Sequence, residues 1–210
     1  MNAATSLVLG TTNAGKLREL AELLEPQGIT CCSLAGLAGA IDVEETGSSF
    51  AENAALKASQ QATALSRWVL AEDSGLVVDA LGGAPGIYSA RFSAPGATDA
   101  RNNSLLLERL ASQPAATRAA HYACHAALSD PTGRIVAVSS GVCRGVIADR
   151  LVGAGGFGYD PLFIVPEYQR TFGELSPAVK AVISHRARAM RAILPAIGLW
   201  LLRRGQPAGD

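Results

Sequence analysis

Short apolar runs alternate with helical stripes over the first third of the chain. The runs at residues 6–9, 29–32 and 67–71 are short and predict buried strands. Between the first two, apolar side chains over residues 14–24 recur at the three- and four-residue spacing of one helix face. This alternation of strands and helices is typical of an α/β protein.

The rest of the chain adds longer elements. Ser49-Phe50-Ala51-Glu52 has the form of a capping box and predicts a helix that runs to about Ser66. Two strand-like runs, 119–128 and 134–147, are separated by the turn Asp130-Pro131-Thr132-Gly133 and predict a long antiparallel hairpin. The other predicted elements are a helix from Thr98 through Leu110, a strand over Pro161–Val165, and helices over roughly 174–181 and 184–203, the last expected to break or kink at Pro195.

Together these elements predict one α/β unit with a mixed central sheet flanked by helices, arranged as two lobes around a substrate cleft. A chain of 210 residues has ample material for a core. We expect a single domain over residues 1–204 and a loose tail over residues 205–210.

Composition and charge narrow the classes of function. Lys and Arg together number 18, as do Asp and Glu, so the chain carries no net charge, which argues against a general nucleic-acid binder. The N-terminus lacks the pattern of a secretory signal, and no apolar run is long enough to span a bilayer. The four cysteines lack CxxC spacing. We therefore expect a cytoplasmic protein with reduced thiols and with neither a nucleic-acid nor a membrane partner.

Two adjacent carboxylates, Glu72 and Asp73, follow the third apolar run and lead into a predicted Ser74-Gly75 turn. Two like charges in one loop need a cation or a proton beside them. Carboxylate oxygens are ligands that Mg²⁺ prefers, and this ion usually binds together with substrate phosphates. The stretch therefore indicates metal-assisted phosphate chemistry, although a carboxylate that only caps the following turn is the alternative for Asp73.

The loop Gly10–Lys16 is a candidate phosphate site. It fits the first seven positions of the P-loop pattern GxxxxGK, but Leu17 stands where a Ser or Thr hydroxyl would hold Mg²⁺. The context is still that of an anion site, because free N–H groups and the dipole of a helix N-terminus favour negative charge there. The alternative is an ordinary strand-to-helix turn capped by Asn13.

Two segments near the end of the chain carry further candidates. Phe157 and Tyr159 lie in a glycine-flanked loop, where their rings either stack on a nucleotide base or pin the loop to the core. His185 and Arg186 open the last predicted helix, where they either lie on the surface or contact a ligand. The residues alone leave both pairs open.

These segments closely resemble the motifs of the Ham1/RdgB-type inosine triphosphate pyrophosphatases. The matching stretches are Thr11-x-Asn13-x-x-Lys16, residues 44–57, 72–76, 82–91 and 155–161, and Lys180 with Ser184-His185-Arg186. The resemblance extends from Leu7 to about Met190 and implies an ITPase-like fold, usually found as a homodimer. It also implies Mg²⁺-dependent hydrolysis of dITP, ITP and XTP to the monophosphate and pyrophosphate, which cleanses the nucleotide pool.

The resemblance implies roles for individual residues. Asp73 would be the catalytic carboxylate and, with Glu44, would hold Mg²⁺; Glu45 competes with Glu44, and the role of Glu72 stays open. The substrate contacts implied are Thr11, Thr12, Asn13, Ala14, Gly15, Lys16, Lys57, Ser74, Phe157, Gly158, Tyr159, Asp160, Lys180, His185 and Arg186. His185 and Arg186 would donate to the O6 keto oxygen of hypoxanthine or xanthine, which adenine lacks.

Two other classes of protein stay open. A P-loop NTPase or kinase would use Gly10–Lys16 with Glu72-Asp73 as its second acidic motif, and it would release phosphate or phosphorylate an acceptor. A non-catalytic nucleotide sensor would bind ITP without turnover. The identity of the product distinguishes these classes from a pyrophosphatase.

Overall fold

The computed structural model describes residues 6–112, 114 and 117–204, and the predicted loose tail at 205–210 lies outside the described residues. The strands are β1 (Leu7–Leu9), β2 (Cys31–Ser33), β3 (Val69–Val78), β4 (Ala119–Ser129), β5 (Ile135–Ile147), β6 (Phe163–Val165) and β7 (Arg170–Thr171). The α-helices are α1 (Ala14–Leu24), α2 (Phe50–Leu65), α3 (Asp99–Leu110), α4 (Pro177–Ile183) and α5 (His185–Arg204). Most of these bounds lie within a few residues of the predicted ones.

The first three α-helices begin where the sequence supplies a side-chain cap. Asn13 Oδ1 accepts a hydrogen bond of 3.0 Å from an N–H in the first turn of α1. Ser49 Oγ and Thr98 Oγ1 each accept a first-turn N–H at 3.2 Å, in α2 and α3 respectively. Each cap satisfies a donor that has no partner within the helix, so these helices start at the residues that the sequence marks.

Over the described residues, seven strands form one sheet in the order β2-β1-β3-β4-β5-β6-β7. Strand β1 pairs in parallel with β2 and β3, whereas β6 pairs antiparallel with β5 and β7. Strands β4 and β5 are neighbours joined only by residues 130–134, so they form the predicted antiparallel hairpin. The predicted α/β fold with a mixed sheet flanked by helices is confirmed.

Backbone packing divides the chain into two compact units. Unit 1 comprises Met1–Asp73, His125–Gly141 and Arg188–Asp210, and unit 2 comprises Ser74–Cys124 and Val142–Ala187. The division falls between Asp73 and Ser74, within β3. The single domain over residues 1–204 and the cleft between two lobes stay predictions.

Small side chains bring helix and sheet close together in unit 1. A buried alanine row on α2 packs against side chains of β1 and β3 (Ala54, Ala58 and Ala62 with Val8, Val69 and Ala71). Gly10 extends this close packing to the end of β1, because a Cβ there would lie 2.8 Å from the Cβ of Ala71. The end of β1, from which the chain leads into α1, is thereby held close to the first half of β3.

The last helix, α5, belongs to unit 1 from Arg188 onward and buries its apolar side there. Trp200 is only 4 % exposed, and its ring centroid lies 5.6 Å from that of Trp68. The helix continues through Pro195, so it does not break there, and the alternative of a kink at Pro195 stays a prediction. Packing of the apolar side of α5 in unit 1 compensates for the backbone hydrogen bond that the helix lacks at the proline.

Aromatic rings form the centre of unit 2. The ring of Tyr122 on β4 lies 4.7 Å from that of Phe163, and Phe163 stacks on Phe172 at 5.2 Å. Leu106 and Leu110 of α3 are fully buried in the same cluster. The same core holds α3 against the strands of unit 2 and includes Tyr159 of the aromatic loop, residues 155–161.

One predicted feature of the acidic segment is wrong. Strand β3 does not end before a turn at Ser74-Gly75 but runs on through both residues to Val78. Gly75 serves close packing instead, because a Cβ there would lie 2.3 Å from Ser89 Oγ and 2.6 Å from the carbonyl oxygen of Gly86. Glu72 and Asp73 are therefore strand residues and not part of a turn.

Among the described residues, no helix combines the length and the apolar character needed to cross a membrane.

Candidate active site

Three elements of unit 1 bring two lysines and three carboxylates together. Strand β3 carries Glu72 and Asp73, whose side chains point to opposite faces of the strand. Lys57 Nζ from α2 lies 2.9 Å from Asp73 Oδ1 and 2.8 Å from Glu45 Oε1. Lys16 Nζ from α1 lies 3.4 Å from Glu72 Oε1. We call these five residues (Lys16, Glu45, Lys57, Glu72 and Asp73) the acid–lysine cluster.

The cluster is shielded from water, which makes its charges strong. The side chains of Glu72 and Asp73 are 0 % and 7 % exposed, and that of Lys57 is 13 % exposed. Burial raises the pKa of Asp73 above its ordinary value, against the opposing charges of Lys57 and Lys16. Burial alone would lower the pKa of Lys57, but the charges of Asp73, Glu45 and Glu72 outweigh it and raise that pKa. Asp73 is thus a stronger base than an exposed aspartate, and Lys57 stays charged.

A second helix residue orients Asp73. Asn53 Nδ2 donates to Asp73 Oδ2 at 3.3 Å, and Asn53 is fully buried one turn before Lys57 on α2. Asn53 Oδ1 accepts from the Gly47 N–H at 2.8 Å, which ties the acidic loop to the same helix. The four-residue spacing of Asn53 and Lys57 signals a shared helix face. No local pattern in the sequence indicated that Asn53 contacts Asp73.

The candidate phosphate loop lies at the start of α1. Thr12, Asn13 and Ala14 are exposed, and Thr11, Gly15 and Lys16 are half-buried. Asn13 Oδ1 is occupied in capping the helix, and Thr11 Oγ1 accepts from the Asn13 N–H at 3.2 Å. The loop therefore combines the predicted turn capped by Asn13 with a helix N-terminus that is open to an anion.

The two glutamates before α2 differ in position. Glu45 is half-buried and contacts Lys57, whereas Glu44 is exposed. The structure thus places Glu45 in the acid–lysine cluster and Glu44 outside it. The assignment of Glu44 as a metal ligand stays a prediction, with Glu45 the nearer carboxylate.

The donor set decides which metal site this cluster suits. Within the described parts of the chain, no three His, Cys, Asp or Glu side chains converge as an all-protein metal site would require. Asp73 and Glu45 are hard oxygen donors that share one lysine. One or two carboxylates completed by substrate phosphates are the usual ligands of Mg²⁺. The residues present therefore fit a Mg²⁺ ion that binds together with an anionic substrate.

Unit 2 contains a second group in which cations lie beside aromatic rings. Lys180 Nζ lies 4.9 Å from the ring centroid of Phe157 and 5.4 Å from that of Phe172. Arg186 Cζ lies 5.7 Å from the centroid of Phe157. Lys180 and Arg186 are 7 % and 1 % exposed. We call these four residues the aromatic–cation cluster.

Hydrogen bonds hold both cations of this cluster. Lys180 Nζ donates to Asp160 Oδ2, the oxygen that also accepts the Phe157 N–H at 2.8 Å. An Nη of Arg186 donates to Ser74 Oγ at 2.9 Å. This hydrogen bond fixes the buried guanidinium beside the ring of Phe157.

His185 and Arg186 are both buried, so the surface alternative for this pair is wrong. His185 is 4 % exposed and stacks on Tyr122, with ring centroids 4.6 Å apart and an interplanar angle of 10°. His185 and Arg186 are the first two residues of α5, and only the capping residue Ser184 separates them from the end of α4. A break between two helices thus turns both side chains into the interior of unit 2.

Phe157 and Tyr159 have different surroundings. Phe157 is half-buried beside the two cations, whereas Tyr159 is 3 % exposed and its hydroxyl donates to the Ser89 carbonyl oxygen at 2.8 Å. Burial, and then the charge of Asp99, raise the pKa of the Tyr159 hydroxyl. Tyr159 therefore pins its loop to the core, and Phe157 is the ring that a ligand can reach.

Several residues that shape these clusters carried no recognised signal. Asp99 and Asn103 on α3 bind the backbone of Gly158, and Asn102 binds the carbonyl oxygens of Ser89 and Ala90. Each contact joins residues at least 12 positions apart. The spacing of Asp99 and Asn103 on one helix face was the only local pattern that could have drawn attention to them.

The fold is that of an α/β protein in which one cluster suits a metal with an anion and the other suits a flat ring. Comparisons with known proteins identify its family. A model of the Ham1 family matches residues 7–196. A dITP/XTP pyrophosphatase of Rhodopirellula baltica is 52 % identical over 195 residues, which cover 93 % of this chain and 94 % of that protein. One from Desulforamulus reducens is 50 % identical over 185 residues, 88 % of this chain and 92 % of that protein.

Among solved structures, a HAM1 protein from Coxiella burnetii matches with a TM-score of 0.82 and 38 % identity, covering 92 % of this chain and 98 % of that chain. The chain belongs to the Ham1 family, and the resemblance predicted from its motifs is confirmed.

Proposed function

We propose that this protein hydrolyses dITP, ITP and XTP between the α and β phosphates and so removes non-canonical purine nucleotides from the pool. As a Ham1 family member with close dITP/XTP pyrophosphatase relatives, it is a nucleoside-triphosphate pyrophosphatase acting on non-canonical purine triphosphates. The cut at the α phosphorus is a proposal that rests on membership of the family. The Mg²⁺ requirement and the roles of individual residues are proposals that rest on the family and on the two clusters.

The charge balance of the acid–lysine cluster is the observation that carries the proposal. Two lysines face three carboxylates, so the ionised cluster alone has one net negative charge and would repel a triphosphate. A divalent cation reverses that sign and makes the site attractive to a polyanion. Bound Mg²⁺ would neutralise phosphate charge and orient the attacking water. Asp73 and Glu45, with Glu44 as the predicted alternative, would hold the ion.

Asp73 is the proposed catalytic carboxylate. Lys57 and Asn53 fix its two oxygens, so it would hold Mg²⁺ and help to orient the attacking water. Lys16 and Lys57 would neutralise charge that develops on the phosphates, and the N–H groups at the start of α1 would bind a terminal phosphate. Glu72 holds Lys16 in position.

The aromatic–cation cluster is the proposed base site. Phe157 would stack on the purine, since base stacking on an aromatic ring contributes about 1–3 kcal/mol. Arg186 and His185 would donate to the O6 keto oxygen. Adenine presents an amino donor at this position and would leave buried donors facing another donor, which costs orders of magnitude in specificity. Lys180, bound to Asp160, keeps Phe157 in place.

The proposal is tested by product analysis on a nucleotide panel with and without Mg²⁺. We expect pyrophosphate from dITP, ITP and XTP at rates far above those for ATP and GTP, and loss of activity in chelator. Asp73→Asn should be nearly inactive, while Asp149→Asn, the same change at an exposed carboxylate, should match the wild type. Release of inorganic phosphate would favour the P-loop NTPase, and ITP binding without turnover would favour the sensor.

A homodimer in the cytoplasm is the proposed setting. The apolar side chains of Val136 and Val138 lie on one exposed face of β5, and Val138 is 71 % exposed. Exposed apolar side chains that share a face favour burial against another chain. Light scattering coupled to gel filtration should give twice the 21.6 kDa chain mass, and a monomer at micromolar concentration would contradict this part.

A further inference from the structure

Helix α3 binds both backbone polar groups of Gly158, the residue that follows the candidate stacking ring Phe157. Asp99 Oδ2 accepts the Gly158 N–H at 2.7 Å, and Asn103 Nδ2 donates to the Gly158 carbonyl oxygen at 2.9 Å. Asp99 and Asn103 are four residues apart and so lie on one face of α3, one turn from each other. The helix therefore holds one residue of the loop at two points.

The hydrogen bond to Gly158, and not packing, explains why an asparagine occupies position 103. Asn103 is 5 % exposed, and its Oδ1 is buried without a hydrogen-bond partner among the described residues. A buried acceptor left unpaired costs free energy. A leucine of similar shape would fill the same space without that cost. What leucine would lose is the hydrogen bond to Gly158.

The loop needs support from outside because its own backbone is permissive. Gly156 and Gly158 both adopt positive φ, 74° and 61°, which lies in the left-handed region that glycine enters readily. Within the loop, Asp160 Oδ2 accepts the Phe157 N–H at 2.8 Å, and the Asp160 N–H donates to the Phe157 carbonyl oxygen at 3.2 Å. Helix α3 adds two contacts from outside the loop, both to Gly158, the residue that follows Phe157. The position of the Phe157 ring thus depends on both ends of this short segment.

We infer that Asp99 and Asn103 are positioning residues that hold the Phe157 ring in place for the purine base. The inference rests on the proposed role of Phe157 in base stacking. Neither α3 residue touches the base in this scheme; both act through the Gly158 backbone. Their loss therefore weakens recognition of the base and leaves the phosphate chemistry of the acid–lysine cluster in place.

Steady-state kinetics with dITP and dATP test the inference. Misplacement of a binding group by about 1 Å can cost up to about 100-fold, so we expect Asn103→Leu to raise the KM for dITP about tenfold, with a smaller change in kcat, and to reduce the preference for dITP. Asp99→Ala, which changes an exposed side chain, should act in the same direction. Ser104→Ala, an exposed position on the same helix, is the matched control and should match the wild type.

A second measurement needs no substrate. Amide hydrogen exchange of the segment 153–160 should quicken in Asn103→Leu and Asp99→Ala but not in Ser104→Ala. Unchanged exchange overturns the inference whatever the activity. Quickened exchange with unchanged dITP kinetics overturns the positioning role. A wild type without dITP hydrolysis refutes the proposed function instead, and the exchange result still decides whether α3 grips the loop.

Discussion

The acid–lysine cluster and the aromatic–cation cluster each stabilise a lysine that is shielded from water, but with different partners. In unit 1, Lys57 is neutralised by carboxylates that lie within 3 Å, and the cluster keeps a net negative charge. In unit 2, Lys180 shares one carboxylate with a backbone N–H, and Lys180 and Arg186 lie beside the ring of Phe157. The first arrangement suits a metal and phosphates, and the second suits a flat ring with an acceptor edge. Function should therefore separate into two independent parts.

The largest effect should follow loss of Lys57, which would break the acid–lysine cluster. Lys57→Met leaves Asp73 buried without its lysine, and breaking such a pair costs about 3–5 kcal/mol of stability. Loss of one charge-stabilising group should also lower kcat about 100- to 1,000-fold. Urea unfolding and pyrophosphate release measure the two effects.

A double variant serves as the control for this experiment. Lys57→Met with Asp73→Asn removes both charges, so it should regain much of the stability lost by Lys57→Met alone while staying inactive. If the double variant is as unstable as the sum of the two single variants, Lys57 and Asp73 are not energetically coupled, and the ion pair between them does not stabilise the fold.

The second-largest effect should be on base recognition by the aromatic–cation cluster. Arg186→Gln should reduce the preference for dITP over dATP by about 10- to 100-fold, because one hydrogen bond from a charged donor contributes about 1.5–3 kcal/mol. Competition between the two nucleotides in one reaction measures the ratio directly. Arg188→Gln, two residues along the same helix and exposed, is the matched control. An equal loss of preference in both variants would contradict the assignment.

Gly75, next to Ser74 in unit 2, lies in closely packed surroundings, and its substitution should lower stability. Gly75→Ala would place a Cβ 2.3 Å from Ser89 Oγ and 2.6 Å from the Gly86 carbonyl oxygen, and overpacking of this kind costs about 1–3 kcal/mol. Thermal unfolding should show a lower midpoint for this variant. Gly198→Ala in α5, where an added Cβ meets nothing within 4 Å, should be neutral or stabilising. A neutral Gly75→Ala would show that the strand can move away from Ser89.

The smallest expected effect is a pH dependence that belongs to Asp73 alone. Its folded pKa is raised above the ordinary 3.8 by burial, so the native state binds its proton more tightly than the unfolded state does. The contribution of Asp73 to stability is therefore complete below the unfolded pKa and is lost as the pH rises through the folded pKa. In metal-free buffer, the stability difference between wild type and Asp73→Asn should shift in this direction across that window. A difference that does not change with pH would mean that the pKa of Asp73 is not raised.

Local patterns predicted the parts of the fold that depend on neighbouring residues. Asn13, Ser49 and Thr98 cap helices because each side chain binds an N–H three residues ahead, which the sequence shows directly. The hairpin of β4 and β5 follows in the same way from alternation and a turn.

Contacts between distant residues could not be predicted from such patterns. Arg186 reaches Ser74 across 112 positions, and Asn103 reaches Gly158 across 55. Gly75 was interpreted as a turn residue because glycine marks turns and close approaches alike, and only the position of Ser89 separates the two. The choice between Glu44 and Glu45 has the same cause, since adjacent carboxylates differ only in which one faces Lys57.

The independence of the two clusters is tested most directly by the ratio of kcat/KM for dITP to that for dATP in Lys16→Met and Arg186→Gln. Lys16→Met should lower kcat/KM for both nucleotides by the same factor, so the ratio should equal that of the wild type. Arg186→Gln should lower the ratio at least about tenfold, in keeping with a lost charged hydrogen bond. A ratio that collapses in Lys16→Met, or stays intact in Arg186→Gln, would contradict the division of phosphate binding and base recognition between the two clusters.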